Sequence, residues 1–218
     1  MRNRVVQPEI LDDLAPDDPA AVANRRDLRF LNRFMGNWRW VARELERFHR
    51  PGASVVEAGA GEGDLARYLR GRVPRLARAP YTGIDLWGRP RDWPEGWSWN
   101  QSDLLDYTPG PPPDVLVVNL LLHQFEDEVL RELGRRFDPV PVWIICEPLR
   151  VRRSVWGLSL LRPFGLHPVS WHDGRVSIRA GFRGNELPDR MGAGSGGREF
   201  RVSRDPRGAY RMVSWRKS

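Results

Sequence analysis

The chain has 218 residues, 40% of them hydrophobic, enough to fill the core of one large domain and too many for a disordered polymer. Its one cysteine, Cys146, excludes intramolecular disulfides, Cys-rich zinc sites and Cys-ligated iron–sulfur clusters, and fits a reducing cytoplasm. The net charge of +7 is almost all arginine and leaves RNA open as a partner, but the arginines are scattered and form no block.

In chain order, residues 1 to 17 read as a loose arm, and "MRNRVVQPEILDD" turns acidic before an apolar signal segment forms. From Asp18, apolar residues at Leu28, Leu31, Phe34, Met35, Trp38, Val41 and Leu45 recur at helical spacing, so one amphipathic helix, or two broken near Gly36-Asn37, runs to Pro51-Gly52. "ASVVEAGAG" predicts a short buried strand entering a glycine loop, and "DLARYLRGRV" the helix after it. "PYTGIDL" predicts a second strand ending near Asp85. The segment Trp87 to Trp99, dense in Trp, Pro and Gly, is expected to be irregular.

"SWNQSDLLDY" carries a third strand, Pro109 to Pro113 a stiff loop, "DVLVVNLLLHQF" a fourth strand, "EDEVLRELGRRF" a helix and "VWIICEPLR" a fifth strand. Short apolar runs alternating with helices are the signature of a parallel sheet covered on both faces. No apolar run nears the ~18 residues of a membrane span, since the longest is broken by Asn119. Residues 151 to 173 show no clean period. "SIRAGFRGNELPDRM" reads as a helix capped by Ser177, and "REFRVSRDPRGAYRMVSWRK" as a hairpin turning at Asp205 to Gly208. The expected architecture is therefore α/β: residues 1–50 as arm and helical cap, and 51–218 as a sheet domain with an insert near 151–175.

The chemistry concentrates in "VVEAGAGEG". Gly59, Gly61 and Gly63 strip side chains from the tip of the first strand, where open α/β sheets bind nucleotides. The dinucleotide fingerprint is G-x-G-x-x-G, and here Asp64 stands where its third glycine belongs. Glu57, two residues before the first glycine, faces a cation well and a pyrophosphate badly. S-adenosyl-L-methionine meets both constraints: it has an adenosine, no phosphate, a sulfonium and an ammonium.

On these residues the chain resembles the class I S-adenosylmethionine-dependent methyltransferases. "VVEAGAGEG" is similar to their first motif, with Glu57, Gly59, Gly61 and Gly63 at the cofactor. "TGIDL" resembles the second-strand motif, which implies that Asp85, beside Leu86, holds the ribose hydroxyls. "NQSDLLD" resembles the third, which implies Asp103 at the adenine amino group and Leu104 at its ring. "DVLVVNLLLHQF" resembles the fourth, with Asn119 and Leu120 beneath the ligand and His123 past the strand tip. The resemblance implies a Rossmann-like seven-stranded sheet, mostly parallel with an antiparallel last strand. The stretch from Glu57 to Asp85 is long, so the first helix or its exit is expected to be extended. More narrowly, Arg25, Arg26, Asp27, Leu28 and Asn32, with Asn119, Leu120, Leu122 and His123, resemble small bacterial methyltransferase-domain proteins related to quinone methylases.

Methyl transfer needs donor and acceptor held close, aligned and dry, so it requires no nucleophile triad and no metal. An acceptor hydroxyl needs a base, and a neutral His of ordinary pKa serves. His123 is the candidate, and Glu147 at the fifth strand's tip is a second site residue. Asn119-Leu120-Leu121-Leu122 lacks the Asn-Pro-Pro-aromatic run of nucleobase amino methylases, and Cys146 lacks the context of a cytosine C5 nucleophile. What remains is oxygen or carbon on a small aromatic or lipid-like acceptor, under a roof of the N-terminal helices and the 151–175 insert. The alternatives are an RNA methyltransferase and a nucleotide-binding module without methyl-transfer chemistry.

Overall fold

The computed structural model describes every residue except Arg2, Pro109, Ser195 and Ser218. The expected loop at Pro109 thus begins outside the described residues. Seven strands form one sheet: β1 (Val55–Ala58), β2 (Tyr81–Asp85), β3 (Ser98–Gln101), β4 (Val115–Asn119), β5 (Val142–Pro148), β6 (Arg198–Arg204) and β7 (Ala209–Arg216). Their order is β3-β2-β1-β4-β5-β7-β6. The five strands from β3 to β5 pair in parallel, and β7 runs antiparallel between β5 and β6. β1 and β4 are buried on both faces, which is why their sequences run apolar instead of alternating. The chain leaves β1 toward β2 and returns on β1's other side as β4, so a crevice opens beyond their C-terminal ends.

Two helices precede the sheet. α1 (Pro19–Met35) starts at Asp18, whose side chain accepts the Ala20 N–H at 2.7 Å, and stops at Gly36, φ 68°. α2 (Asn37–Phe48) follows at once and sinks Trp38, Val41 and Leu45 into the core on one sheet face. α3 (Asp64–Arg72) leads from the glycine loop into a 3-10 turn at Pro74–Arg78, the extended exit expected before β2. α4 (Asp127–Arg136) and α7 (Glu186–Met191) pack together beside the core of the other face.

The insert after β5 is more ordered than its sequence shows. α5 (Arg152–Leu160), a 3-10 turn at Arg162–Phe164 and α6 (Pro168–Ala180) fill it. Ser177 caps no helix: it lies in the last turn of α6, and the chain breaks at Gly181 before α7 begins. Gly181 cannot carry a side chain, because a Cβ there would sit 2.2 Å from the Pro148 carbonyl oxygen.

The tryptophan-rich segment before β3 is irregular and largely exposed, as at Trp87, but it buries Trp93 and Trp97. Trp97 stacks on Tyr81 at 4.0 Å between ring centroids, and Trp93 meets Trp99 edge-on at 4.8 Å. Gly83 of β2 makes room for them, since a Cβ there would lie 2.4 Å from the Trp93 ring.

Candidate active site

The crevice widens into a cavity of about 1090 Å³ reaching from the glycine loop, under α1, to α5 and α6. Its floor is the Gly59-Ala60-Gly61 backbone at the tip of β1. Gly59 and Gly61 have φ of 70° and 52°. A Cβ on Gly59 would strike Leu121 at 2.9 Å, whereas one on Gly61 would meet nothing within 4 Å. Gly61 is therefore bare backbone facing open space, a cradle for a ligand.

Gly63 departs from the sequence expectation. It does not line the cavity; it starts α3 with φ 73°, and a Cβ there would meet Trp93 at 2.9 Å. The third glycine serves packing: it lets the tryptophan cluster prop the loop from behind.

Glu57 lines the cavity yet is only 2% exposed, and it accepts a 2.7 Å hydrogen bond from the Tyr81 hydroxyl. Burial, against the help of Tyr81 and with Asp85 adding repulsion, pushes its pKa up to about 8. Asp85 at the tip of β2 lines the opposite rim and accepts the N–H groups of Gly61 at 2.7 Å and Trp87 at 3.1 Å. Leu86 is largely exposed beside it. Asp103, on the loop after β3, accepts the Leu105 N–H at 2.8 Å, and Leu104 is buried next to it; both face the cavity.

At the tip of β4, Asn119 donates to Asn32 of α1 at 3.0 Å, and its Oδ1 is buried without a partner. Asn32 also accepts from Asn37 at 3.2 Å, which ties both N-terminal helices to the strand tip. Leu120 has φ 60°, alone among the described non-glycine residues in being positive. Such backbone strain persists only where its surroundings enforce it. Here the twist carries Leu121 over Gly59 and turns the chain into the 3-10 turn Leu122–Gln124.

Glu147 enforces that turn. Fully buried, it accepts the N–H groups of Leu121, Leu122 and His123 at 3.0, 2.7 and 3.2 Å, and meets His123 Nδ1 at 2.7 Å. It stands behind His123 and is absent from the cavity wall, so it positions the imidazole instead of meeting an acceptor.

His123 does line the cavity, and its Nε2 faces Glu9 Oε1 at 3.4 Å. Burial alone would lower its pKa, but the hydrogen bonds and charges of Glu147 and Glu9 outweigh burial and raise it to about 9. The imidazole is thus a cation at neutral pH, not the neutral group of ordinary pKa expected from sequence.

Sequence reading missed Glu9 and the arm that carries it. Residues 3 to 14 are tied down rather than loose. The guanidinium of Arg4 donates to the carbonyls of His123 at 2.7 Å, Phe125 at 2.5 Å and Ala180 at 2.7 Å. Asp173 of α6 accepts the N–H groups of Ile10 and Leu11 at 2.9 and 3.1 Å, and Ser177 donates to Glu9. These partners lie far apart in sequence, and a polar arm with no period signals none of them.

Arg25 and Arg29 pair with Glu62 of the glycine loop at 2.5 and 2.8 Å and latch α1 across the crevice, while Arg26 pairs with Asp27. Trp38 of α2 is core, whereas Phe30 and Phe34 of α1 are exposed and Phe34 reaches the cavity.

Strand order, the antiparallel β7 and a glycine-floored crevice at the tips of β1 and β4 define the class I S-adenosylmethionine-dependent methyltransferase fold. Neither a family model nor a curated protein matches the sequence. Among solved structures, the chain is similar to the plantazolicin methyltransferase BpumL in complex with a monoazolic desmethylPZN analog and SAH (TM-score 0.70, 12% identity, covering 91% of this chain and 89% of that one). It is similar to the plantazolicin methyltransferase BamL with a triazolic analog and SAH (0.70, 12%, 94% and 92%). It is also similar to human N-acetylserotonin methyltransferase with SAM (0.55, 16%, 95% and 61%).

Proposed function

We propose that the protein transfers a methyl group from S-adenosyl-L-methionine to an oxygen or carbon of a small, apolar, aromatic or lipid-like acceptor. The observation that carries this reading is the glycine floor flanked by carboxyls. A buried acid at Glu57, the unpartnered Oδ1 of Asn119 and bare backbone at Gly61 surround one corner of the cavity. That corner accepts hydrogen bonds and positive charge, and it has no cradle for a phosphate. The similar solved structures that carry SAH or SAM support the same ligand.

In this reading, Asp85 holds the ribose hydroxyls, Asp103 and Leu104 the adenine, and Glu57 and Asn119 the amino-acid end. When bound, S-adenosyl-L-methionine supplies the activated methyl group. The chain does the rest. α1, the arm and α6 exclude water; Glu147 holds the Nδ1–H of His123; and Nε2, once it has given up its own proton and is freed from Glu9, takes the proton of an acceptor hydroxyl. A carbon or carboxylate acceptor bypasses that last step.

Thermal shift and calorimetry test the reading. S-adenosylhomocysteine raises the melting temperature and NAD does not. Asp85→Ala weakens S-adenosylhomocysteine binding by ~1–3 kcal/mol, the cost of charge-assisted hydrogen bonds. Unchanged affinity would remove the ribose assignment.

A further inference from the structure

The outer side of α5 carries large apolar side chains that the described residues leave exposed. Its inner side is accounted for: Ser154 and Leu158 are buried, Leu158 packs with Leu31, Leu166 and Ile178, and Gly157, Leu158 and Leu161 line the cavity. Trp156 and Leu160, one helical turn apart, point the other way, 74% and 71% exposed. Phe164 follows four residues later in the 3-10 turn at 86% exposure. A helix apolar on both sides belongs inside a protein or against another apolar phase.

Charge says which phase. From Pro148 to His172 the sequence contains no Asp or Glu, while Arg152 and Arg162 are exposed beside the three apolar side chains and Arg153 is exposed at the rim of the cavity. Arg162 and Arg175 also flank the ring of Trp171, at 4.9 and 4.5 Å from its centroid. An acid-free segment with a protruding Trp, Leu and Phe, ringed by guanidinium groups, fits the headgroup boundary of an anionic bilayer. A second copy of the chain fits less well, for two reasons. Like charges would face each other, and the three side chains offer on the order of 500 Å², against ~800 Å² per partner in a stable dimer.

We propose that α5 and the turn after it form a monotopic docking face for an anionic lipid surface, and that acceptors enter the cavity from that surface past Gly157 and Leu161. The inference rests on the lipid-like acceptor proposed above and names where it comes from. Gly157 has open space beside it, since a Cβ added there would meet nothing within 4 Å. Gly157 is both exposed and part of the cavity lining, so no side chain closes the cavity at that point of α5.

Flotation with vesicles of phosphatidylcholine, with and without phosphatidylglycerol, tests it. The full chain floats with the anionic vesicles, less so as salt is raised. The double variant Trp156→Ser, Phe164→Ser binds them roughly tenfold or more weakly, because buried apolar area is lost. Both proteins keep the same thermal shift with S-adenosylhomocysteine, so a failure of docking is read separately from a failure of the cofactor assignment. The proposal is overturned if the wild type does not float, or if the variant floats equally well. It is also overturned if light scattering shows a wild-type dimer that the variant abolishes, which would assign the face to a second copy.

Discussion

Two residues carry the electrostatics of the site, and both sit far from their usual pKa for stated reasons. Glu57 is lifted to about 8 chiefly by burial, so it is protonated at pH 7 until a cation arrives beside it. If Glu57 receives the ammonium group as proposed, binding expels a proton, and affinity rises with pH below about 8 and levels off above it. Calorimetry with S-adenosylhomocysteine between about pH 6 and 8 is expected to show that rise in wild type and a flat line in Glu57→Gln. His123, lifted to about 9, is protonated at neutral pH and becomes a base only as pH rises. For a hydroxyl acceptor, kcat/KM is therefore expected to climb toward an inflection near pH 9. Glu9→Gln removes one carboxylate at 3.4 Å from Nε2 and shifts the inflection down by ~1 unit. An unmoved inflection means that His123 is not the titrating base.

Among the elements, the tryptophan segment shows how packing and function meet. Trp93 lies over Gly83 of β2 and behind Gly63, so the glycine loop is backed by an aromatic wall. Gly83→Ala places a Cβ 2.4 Å from that ring and is expected to cost ~1–3 kcal/mol by overpacking, measured by urea denaturation. S-adenosylhomocysteine affinity should fall with it, because the displaced Trp93 presses on Gly63. A variant as stable as wild type would mean that the ring has another place to go. The N-terminal arm is the other informative element. Its polar contacts are individually modest, but Arg4 and Asp173 each gather several, and together they hold Glu9 at His123.

For the whole molecule, three displaced ionisations make the stability depend on pH in opposite directions. His123 is raised from 6.5 to about 9, so its contribution is complete below pH 6.5 and is lost as pH climbs through 9. Glu57, raised from 4.5 to about 8, adds a decline over its own window. Asp205 works in the opposite direction. Hydrogen bonds from Arg207, with Arg211 nearby, hold it down to about 2, so its stabilisation is present above 3.8 and disappears as pH falls toward 2. The melting temperature is expected to fall between pH 6.5 and 9 in wild type. His123→Gln makes that limb shallower, leaving the part of the decline that Glu57 supplies below about pH 8 and the acid limb in place; equal slopes in both proteins would contradict the raised His123.

Sequence by itself determined the parallel strands, the glycine loop and the acids at the strand tips. These are local signals: a buried strand is a short apolar run, and a bare strand tip is a row of glycines whatever else surrounds it. Glu57, Asp85, Asp103 and Asn119 were legible because a parallel sheet sends the end of every strand to the same edge. Tertiary structure alone decided the rest. Gly63 packs against Trp93, Glu147 clamps three N–H groups behind His123, and Arg4 and Glu9 cross the fold to reach their partners. The protonation of His123 and the outward face of α5 belong to the same class. Each depends on which groups lie within a few ångströms and on how much water is excluded, and neither quantity exists until the chain has closed on itself.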